Sequence, residues 1–405
     1  MKNLTIIDQT RPDQTRPANY DFLYDKNYYG ELLYQNHFID KELGYRVIDN
    51  CCLSPKGINT QEGLNIQRKN HKKQTVIYIG SLSNGWGHFI TNSMSMLWFL
   101  NSKEYHENFS DCNIVYLPAQ GFTLKGNQKR MLEILGINLS KLEPVTELTS
   151  YDKVIVPDEC FILNEGLNYF TQEYRELVNK TRDFALANIH PIKSQKVYFS
   201  YSRYRHNRSI GEDKLDKYFA SKGYEIIYHP EKLTLDEQLN ILIQCESFAS
   251  TVGSCSHNII FLRDNTEVIL IPRTYFFNRW QAVCDQVHEL NINYVDSSFS
   301  LFVGKLILGG PFLYFISSNL RKFFHDKNTE SIVNVSDFKK YLRISFGYSM
   351  SRAIAYADNP DVYKYYSIVA PDYFSKLFNS SLLVRLKKWL KSINFIRSCI
   401  RHFKP

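Results

Sequence analysis

Three segments of this 405-residue chain set charged, polar or small residues where they could do chemistry. In "YFSYSRYRHNRSIGEDKL" (198–215), Arg203, Arg205 and Arg208 follow an apolar run and precede Glu212. Guanidinium groups grip phosphates in a bidentate manner, so this spacing suits a diphosphate. In "STVGSCSHNIIFL" (250–262) an apolar run stops at Gly253, and Ser254, Cys255, Ser256, His257 and Asn258 follow. A glycine lets backbone approach a ligand closely, and a serine can cap a helix or donate to a phosphate. A helix start also offers free N–H groups and partial positive charge. His257 and Asn258 are expected to face a cleft or the adjacent turn. In "SNGWGHFITNSMSMLWFL" (83–100), Gly85 and Gly87 flank Trp86, His88 opens a predicted helix, and Asn92 lies one turn on. The dipole at a helix start disfavours a second proton on an imidazole, which suits a general base. Each segment has a plainer reading as well: a solvated basic loop, a capped helix start, a histidine in a local hydrogen bond.

The elements that must position these residues follow a repeating rhythm. Apolar runs at 75–80, 113–118 and 153–157 read as buried strands, with helices predicted over 86–101, 127–136 and 166–188. "HPIKSQ" (190–195) reads as a linker. The rhythm restarts with strands at 196–202, 224–228, 247–251, 267–271 and 292–295, and helices at about 212–222, 234–245, 255–263 and 277–289. Strands separated by helices predict parallel sheets covered on both faces, with ligands at the carboxyl ends of the strands. All three chemical segments begin at such an end. Residues 1–70 are turn-rich and unassigned. "LFVGKLILGGPFLYFI" (301–316) is broken by Gly309, Gly310 and Pro311 and reads as core, and residues 338–367 suggest one or two helices packing back on the first domain.

Composition sets the outer bounds. Hydrophobic residues make up 44% and charged residues 22%, enough apolar material for sizeable cores. Eight cysteines form no CxxC pair and no zinc-like cluster, and no signal segment or apolar stretch of membrane-spanning length is visible, which predicts reduced thiols in the cytoplasm. Seven positive charges in the last 25 residues account for nearly all of the net charge of +8, so the body is almost neutral and no nucleic-acid partner is expected. That background favours a specific use for Arg203, Arg205 and Arg208 over a generally basic surface. The tail "SSLLVRLKKWLKSINFIRSCIRHFKP" sets Leu382, Leu386, Leu390, Ile393, Ile396, Ile400 and Phe403 on one helical side, with Arg385, Lys388, Lys391 and Arg401 largely on the other. A basic amphipathic helix of this kind fits an anionic membrane surface. It also fits packing on the body.

Taken in order, "GWGHFITNSMSML", "SRYRHNRSIGEDKLDKYFASKGYEII", "LTLDEQLNILIQCESFASTVGSCSHNIIFLRDNTEVILI" and "FNRWQAVCDQVHELNINYV" resemble glycosyltransferase family 61 and its bacterial capsule-type relatives over about 75–296. The resemblance implies an α/β, GT-B-like fold of two facing Rossmann-like domains with a cleft between them, plus a C-terminal helical tail. The domains would be an acceptor domain (1–190), a nucleotide-sugar domain (191–300), a helical region (301–380) and a membrane-associating tail (381–405). It implies inverting transfer from a nucleotide sugar with no metal and no separate cofactor. Arg203 and Arg208 would hold the donor diphosphate, with Glu212 behind them. Gly253, Ser254, His257 and Asn258 would surround nucleotide and phosphates, and His88 would stand near the acceptor hydroxyl. Two positions depart from the family: the common Gly-Pro-His-Gly run reads Ser250, Thr251, Val252, Gly253, and the usual Asn before the acid is Gly211.

The residues agree with that expectation independently. No Asp-x-Asp triplet occurs, so a departing diphosphate would have to be neutralised by arginines and helix-terminal amides. His88 is the first candidate base, Glu159 the second, with Asp158 behind it. The acceptor would be a glycan, a lipid-linked one among the candidates, reached at the inner face of the membrane. A pyruvyl or phosphosugar transferase and a non-catalytic scaffold of a glycan assembly complex are the other readings.

Overall fold

A computed structural model of the chain describes residues 71–341 except 120, 148, 165–166, 205–208, 274–277 and 300–310, together with residue 344 and four short strands nearer the N-terminus. Arg205, Arg208, the Gly309–Pro311 break up to residue 310, most of the expected helices beyond 341 and the basic tail lie outside the described residues.

Two parallel sheets carry the site. In the first, β1 (His71–Leu82), β2 (Asn113–Pro118), β3 (Leu142–Pro144) and β4 (Thr149–Ile155) lie in the order β4-β1-β2-β3. A hairpin of Arg46–Ile48 and Cys52–Ser54 runs antiparallel along the outer edge of β4, and Leu4–Thr5 runs parallel to it. In the second sheet, β5 (Lys196–Phe199), β6 (Glu225–Ile227), β7 (Ser247–Thr251), β8 (Glu267–Ile271) and β9 (Asn291–Tyr294) lie in the order β6-β5-β7-β8-β9, all parallel. The chain goes to one side of β5 for β6 and to the other side for β7. Between β5 and β7 the strand order therefore reverses, and open parallel sheets take ligands in that crevice, beyond the carboxyl ends. Residues 200–203 and 252–254 are the two chain segments that leave the sheet there.

The strands expected in the second half match closely because strands buried on both faces are continuous apolar runs. The helices expected over 255–263 and 277–289 are a 3-10 segment at Ser256–Phe261 and a short helix at Arg279–Cys284, and two further expectations differ. Residues 167–171 form a strand, paired antiparallel with Phe161–Asn164, and the helix begins only at Gln172, running to Ala187. The helix expected over 86–101 is a broken helical run: an α-turn at Trp86–His88, a π-turn at Phe89–Ser93 and a 3-10 segment at Leu97–Asn101.

A single apolar cluster runs through both halves. It joins Ile77, Phe89, Phe99 and Leu132 of the first half, through Tyr174, Leu177 and Val178 on the Gln172–Ala187 helix, to Phe199, Leu239, Phe248 and Ile260 of the second. Polar pins reinforce the junction: Arg130 pairs with Asp236, Asn127 Nδ2 donates to the Leu233 carbonyl, and Arg175 Nε donates to the Val287 carbonyl. The described start of the 338–367 stretch packs through Phe338 and Tyr341 on Ile210, Leu313 and Phe299, beside the second sheet.

Gly211, where the resemblance would have an Asn, has a left-handed φ of +84°, and a Cβ there would run into the Tyr314 carbonyl oxygen. Asparagine tolerates the left-handed region but not that contact, so the departure follows from the close approach of the 312–314 strand.

Candidate active site

Each of the three chemical segments is set by a strand end. β1 ends at Leu82, and after a short turn the helical run brings His88 to the surface with Asn92 beside it; His88 Nδ1 lies 3.4 Å from Asn92 Oδ1. β5 ends at Phe199 and leads to Tyr201 and Arg203. Arg203 is exposed, with its guanidinium carbon 3.6 Å from the Tyr228 ring centroid, so its charge stands over a π-face at the carboxyl end of the sheet. β7 ends at Thr251 and leads into the Gly253 turn and the 3-10 segment Ser256–Phe261.

The structure brings the Trp86–His88 turn and the Gly253 turn against each other. Gly87 is buried, and a Cβ on it would stand 2.9 Å from His257 Nδ1 and 3.0 Å from Ser254 Oγ. The bare glycine is what allows the contact. Two indoles then bridge the halves reciprocally. Trp86 Nε1 donates to Asn258 Oδ1 at 2.7 Å, and Trp280 Nε1 donates to Asn92 Oδ1 at 2.9 Å. The Trp280 ring also meets the His88 ring edge-on, centroids 5.6 Å apart.

The turn itself differs in one respect from the expected cradle of open amides. Gly253 N–H donates to Ser256 Oγ at 2.8 Å, and Cys255 N–H donates to Tyr201 Oη at 2.7 Å. The amides of Ser256, His257 and Asn258 donate to carbonyls within the turn. What the turn presents outward is the exposed Ser254. Asn258 is buried and committed to Trp86, and His257 is 6% exposed with no hydrogen-bond partner at either ring nitrogen among the described residues.

Beneath the turn lies a cation that sequence reasoning missed. Arg273 follows β8 and Pro272, at the same carboxyl edge, and its guanidinium carbon is 4.5 Å from the Tyr201 ring centroid and 5.3 Å from that of Phe312. Burial works against its charge, but Tyr314, Tyr201 and Glu212 more than offset this and hold it protonated above the ordinary range. The rule that singled out Arg203, a charge directly after a parallel strand, would have found it. Glu212 is buried below the arginine segment; its carboxylate accepts the Tyr201 N–H at 3.0 Å. Burial raises its carboxyl, and Arg273 and the Tyr201 amide oppose that. Glu212 thus shapes the loop that carries Arg203. Asp216 does the same from one turn further along, buried and facing Ser202, Ser200 and Arg203.

Gln281 and Asp285 were also missed. Gln281 Oε1 lies against Ser256 Oγ, Gln281 Nε2 donates to Asp285 Oδ1 at 2.9 Å, and Tyr294 Oη donates to Asp285 Oδ2. This buried chain braces the turn from behind. Asp158 and Glu159 sit on a segment docked under the first half's helical run, where Trp98 Nε1 donates to the Asp158 carbonyl at 2.8 Å and Cys160 N–H to the Ser95 carbonyl. Glu159 keeps an exposed edge, but loss of hydration and the neighbouring Asp158 raise its carboxyl above the usual range, in the direction a base needs.

His257 also makes stability depend on pH. Burial, with the nearby His88 and Arg273, lowers its pKa from 6.5 to about 3. The unfolded chain then binds a proton below about pH 6.5 that the folded chain refuses until about pH 3. Stability contributed by the neutral form is complete above that window and falls as pH drops through it, by up to about 1.4 kcal/mol per unit. His288, lowered to about 4 chiefly by burial and then by Arg182, adds in the same direction. Glu212 and Asp216, raised by burial, act oppositely. Urea unfolding midpoints at pH 7 and pH 5 should therefore differ less in His257→Gln than in the natural protein. Equal differences would remove the assignment.

A strand-order reversal flanked by an exposed arginine, a serine turn and a histidine makes this edge of the sheet the candidate ligand site. Residues 86–269 match the model of a glycosyltransferase family, and the chain is a glycosyltransferase. The family that matches is Glycosyltransferase 61. No curated protein matches the chain. Among solved structures, the dodecameric iron-containing heptosyltransferase TibC, in complex with ADP-D-beta-D-heptose, aligns with 60% of this chain and 67% of its own, at 10% identity and a TM-score of 0.26.

Proposed function

We propose that the chain is an inverting, metal-independent glycosyltransferase of the GT-B type, moving a sugar from a nucleotide sugar to a capsular or other surface polysaccharide. The observation that carries this reading is the apposition of His88 with the Gly253 turn, held by the Trp86–Asn258 and Trp280–Asn92 hydrogen bonds. It sets a candidate base from one half beside the anion-facing strand ends of the other. The acceptor hydroxyl oxygen attacks the anomeric carbon on the face opposite the diphosphate. Its proton passes to His88, with Glu159 as the other candidate. The bond from carbon to the diphosphate oxygen breaks, and that oxygen leaves with the electron pair. Arg203 and Arg208 neutralise the departing charge, with Arg273 behind the Gly253 turn. Arginines in that number supply the role that a metal ion fills in transferases with an Asp-x-Asp triplet, which this sequence lacks.

No helix of the described residues is long and apolar enough to cross a membrane. The basic tail, in this proposal, rests on the anionic inner face of the cell membrane and brings the site to a lipid-linked acceptor.

The test is release of nucleoside diphosphate from a panel of nucleotide sugars by the full chain, with and without EDTA. One nucleotide sugar is expected to be turned over at the same rate in both. Loss of turnover in EDTA with recovery on adding magnesium would end the metal-independent mechanism. Release of nucleoside monophosphate instead would point to a phosphosugar transferase, release of inorganic phosphate from phosphoenolpyruvate in a parallel assay to a pyruvyl transferase, and no release from any donor would leave a scaffold.

A further inference from the structure

We infer that Trp280 is a positioning residue that selects the tautomer of His88 from across the junction, acting through the side-chain amide of Asn92. The inference rests on the reading of His88 as the base.

Asn92 is approached by three groups at one atom. Trp280 Nε1 lies 2.9 Å from it, Thr91 Oγ1 3.1 Å and His88 Nδ1 3.4 Å. Thr91 has one hydroxyl proton and a better use for it, the Gly87 carbonyl at 2.8 Å. That leaves the indole to decide which end of the amide faces the group. An indole N–H can only donate. The Asn92 atom facing it must be the carbonyl oxygen, because the NH₂ end would set donor against donor.

The choice propagates to His88. The oxygen held by Trp280 is the atom facing His88 Nδ1, so the favourable imidazole carries its proton on Nδ1 and donates it to Asn92. Nε2 is then the bare nitrogen, able to take the acceptor's proton. If the amide turned over, its NH₂ would face Nδ1. Nδ1 would become the acceptor, the proton would move to Nε2, and the imidazole would offer no lone pair for the reaction. The edge-on packing of the Trp280 ring on His88 fixes the ring plane in the same stroke.

Trp280 and Asn92 are 188 positions apart, on opposite sides of the junction. Trp280 is also next to Gln281, which braces Ser256 and through it Gly253. The same short helix, Arg279–Cys284, thus touches the anion-facing turn with one residue and the base's partner with the previous one. His88 is set as a base only where the two halves are in contact.

The test reads the tautomer directly, in the full chain labelled with ¹⁵N-histidine at pH 8.5. Long-range ¹H–¹⁵N spectra distinguish Nδ1–H from Nε2–H, and His88→Gln identifies the His88 signals. The natural protein is expected to show Nδ1–H. Trp280→Phe keeps the ring and removes the donor, and should shift His88 towards Nε2–H. Asn92→Asp in that background presents only acceptor oxygens whichever way it turns, and should restore Nδ1–H. Asn92→Ala, with Trp280 in place, should lose it.

Retention of Nδ1–H in Trp280→Phe or in Asn92→Ala overturns the inference, as does failure of Asn92→Asp to restore it. With the nucleotide sugar found above, Trp280→Phe should lower kcat about ten-fold with KM unchanged, a fraction of what a general base contributes. If His88→Gln turns over normally, the reading of His88 as base has failed. If His88→Gln is inactive but Trp280→Phe keeps both the natural tautomer and kcat, only the present inference has failed.

Discussion

His88→Ala is expected to lower turnover of the nucleotide sugar about a hundred- to ten-thousand-fold, the range a positioned general base contributes. The protein should still fold. His88 is exposed, its ring nitrogen makes one long contact at 3.4 Å, and the apolar residues on either side of it, Gly87 and Phe89, are the buried ones. Its removal leaves no cavity in the core, so a thermal melt should move by no more than a few degrees. Rate and melting point together separate a chemical role from a structural one. Undiminished turnover would pass the role to Glu159, whose raised carboxyl is the next group suited to it.

Gly253→Ala is expected to damage both stability and donor binding. A Cβ at this position would stand 2.6 to 2.7 Å from three atoms of the Arg273 guanidinium. That group cannot retreat freely, because it is stacked on Tyr201 and Phe312. Moving it also disturbs Tyr201, whose hydroxyl takes the Cys255 amide, and the charge facing Glu212. Overpacking of this kind costs about 1–3 kcal/mol, which lowers the melting point by several degrees. The KM for the nucleotide sugar should rise about ten-fold, because the displaced turn bears Ser254 and shields the half-buried cation; this takes loss of one charge-assisted hydrogen bond as its scale. A natural melting point with a natural KM would show that the guanidinium does not press on the turn.

The sequence carried the second sheet well and the site's cross-junction contacts hardly at all. Strands such as Ser247–Thr251 and Glu267–Ile271 are legible because burial on both faces requires unbroken runs of small or apolar residues. The strand at Leu167–Thr171 was not, because it runs without a turn signal into an amphipathic helix and borrows its periodicity. The π-turn at Phe89–Ser93 was hidden for a different reason. That segment is buried at Phe89, Ile90, Thr91 and Ser93, so it has no polar face whose phase could slip visibly. Local spacing placed His88, Arg203 and Gly253 at strand ends, where the structure has them. It could not pair Trp86 with Asn258 or Trp280 with Asn92, since separations of 172 and 188 residues leave no periodic trace. The same blindness made His257 and Asn258 look like ligand-facing groups, whereas both are buried in the junction.

The apolar cluster that passes unbroken from the first sheet through the Gln172–Ala187 helix to the second has an evolutionary and engineering corollary. Enzymes whose donor and acceptor modules are separately folded can be recombined into chimeras by cutting at the linker. Here a cut at residues 190–195 would strip Leu239, Phe248 and Ile260 of neighbours such as Tyr174 and Val178, and a foreign module would have to match that seam side chain by side chain. New specificities in this scaffold are more readily reached by changing loops at the strand ends than by shuffling its halves.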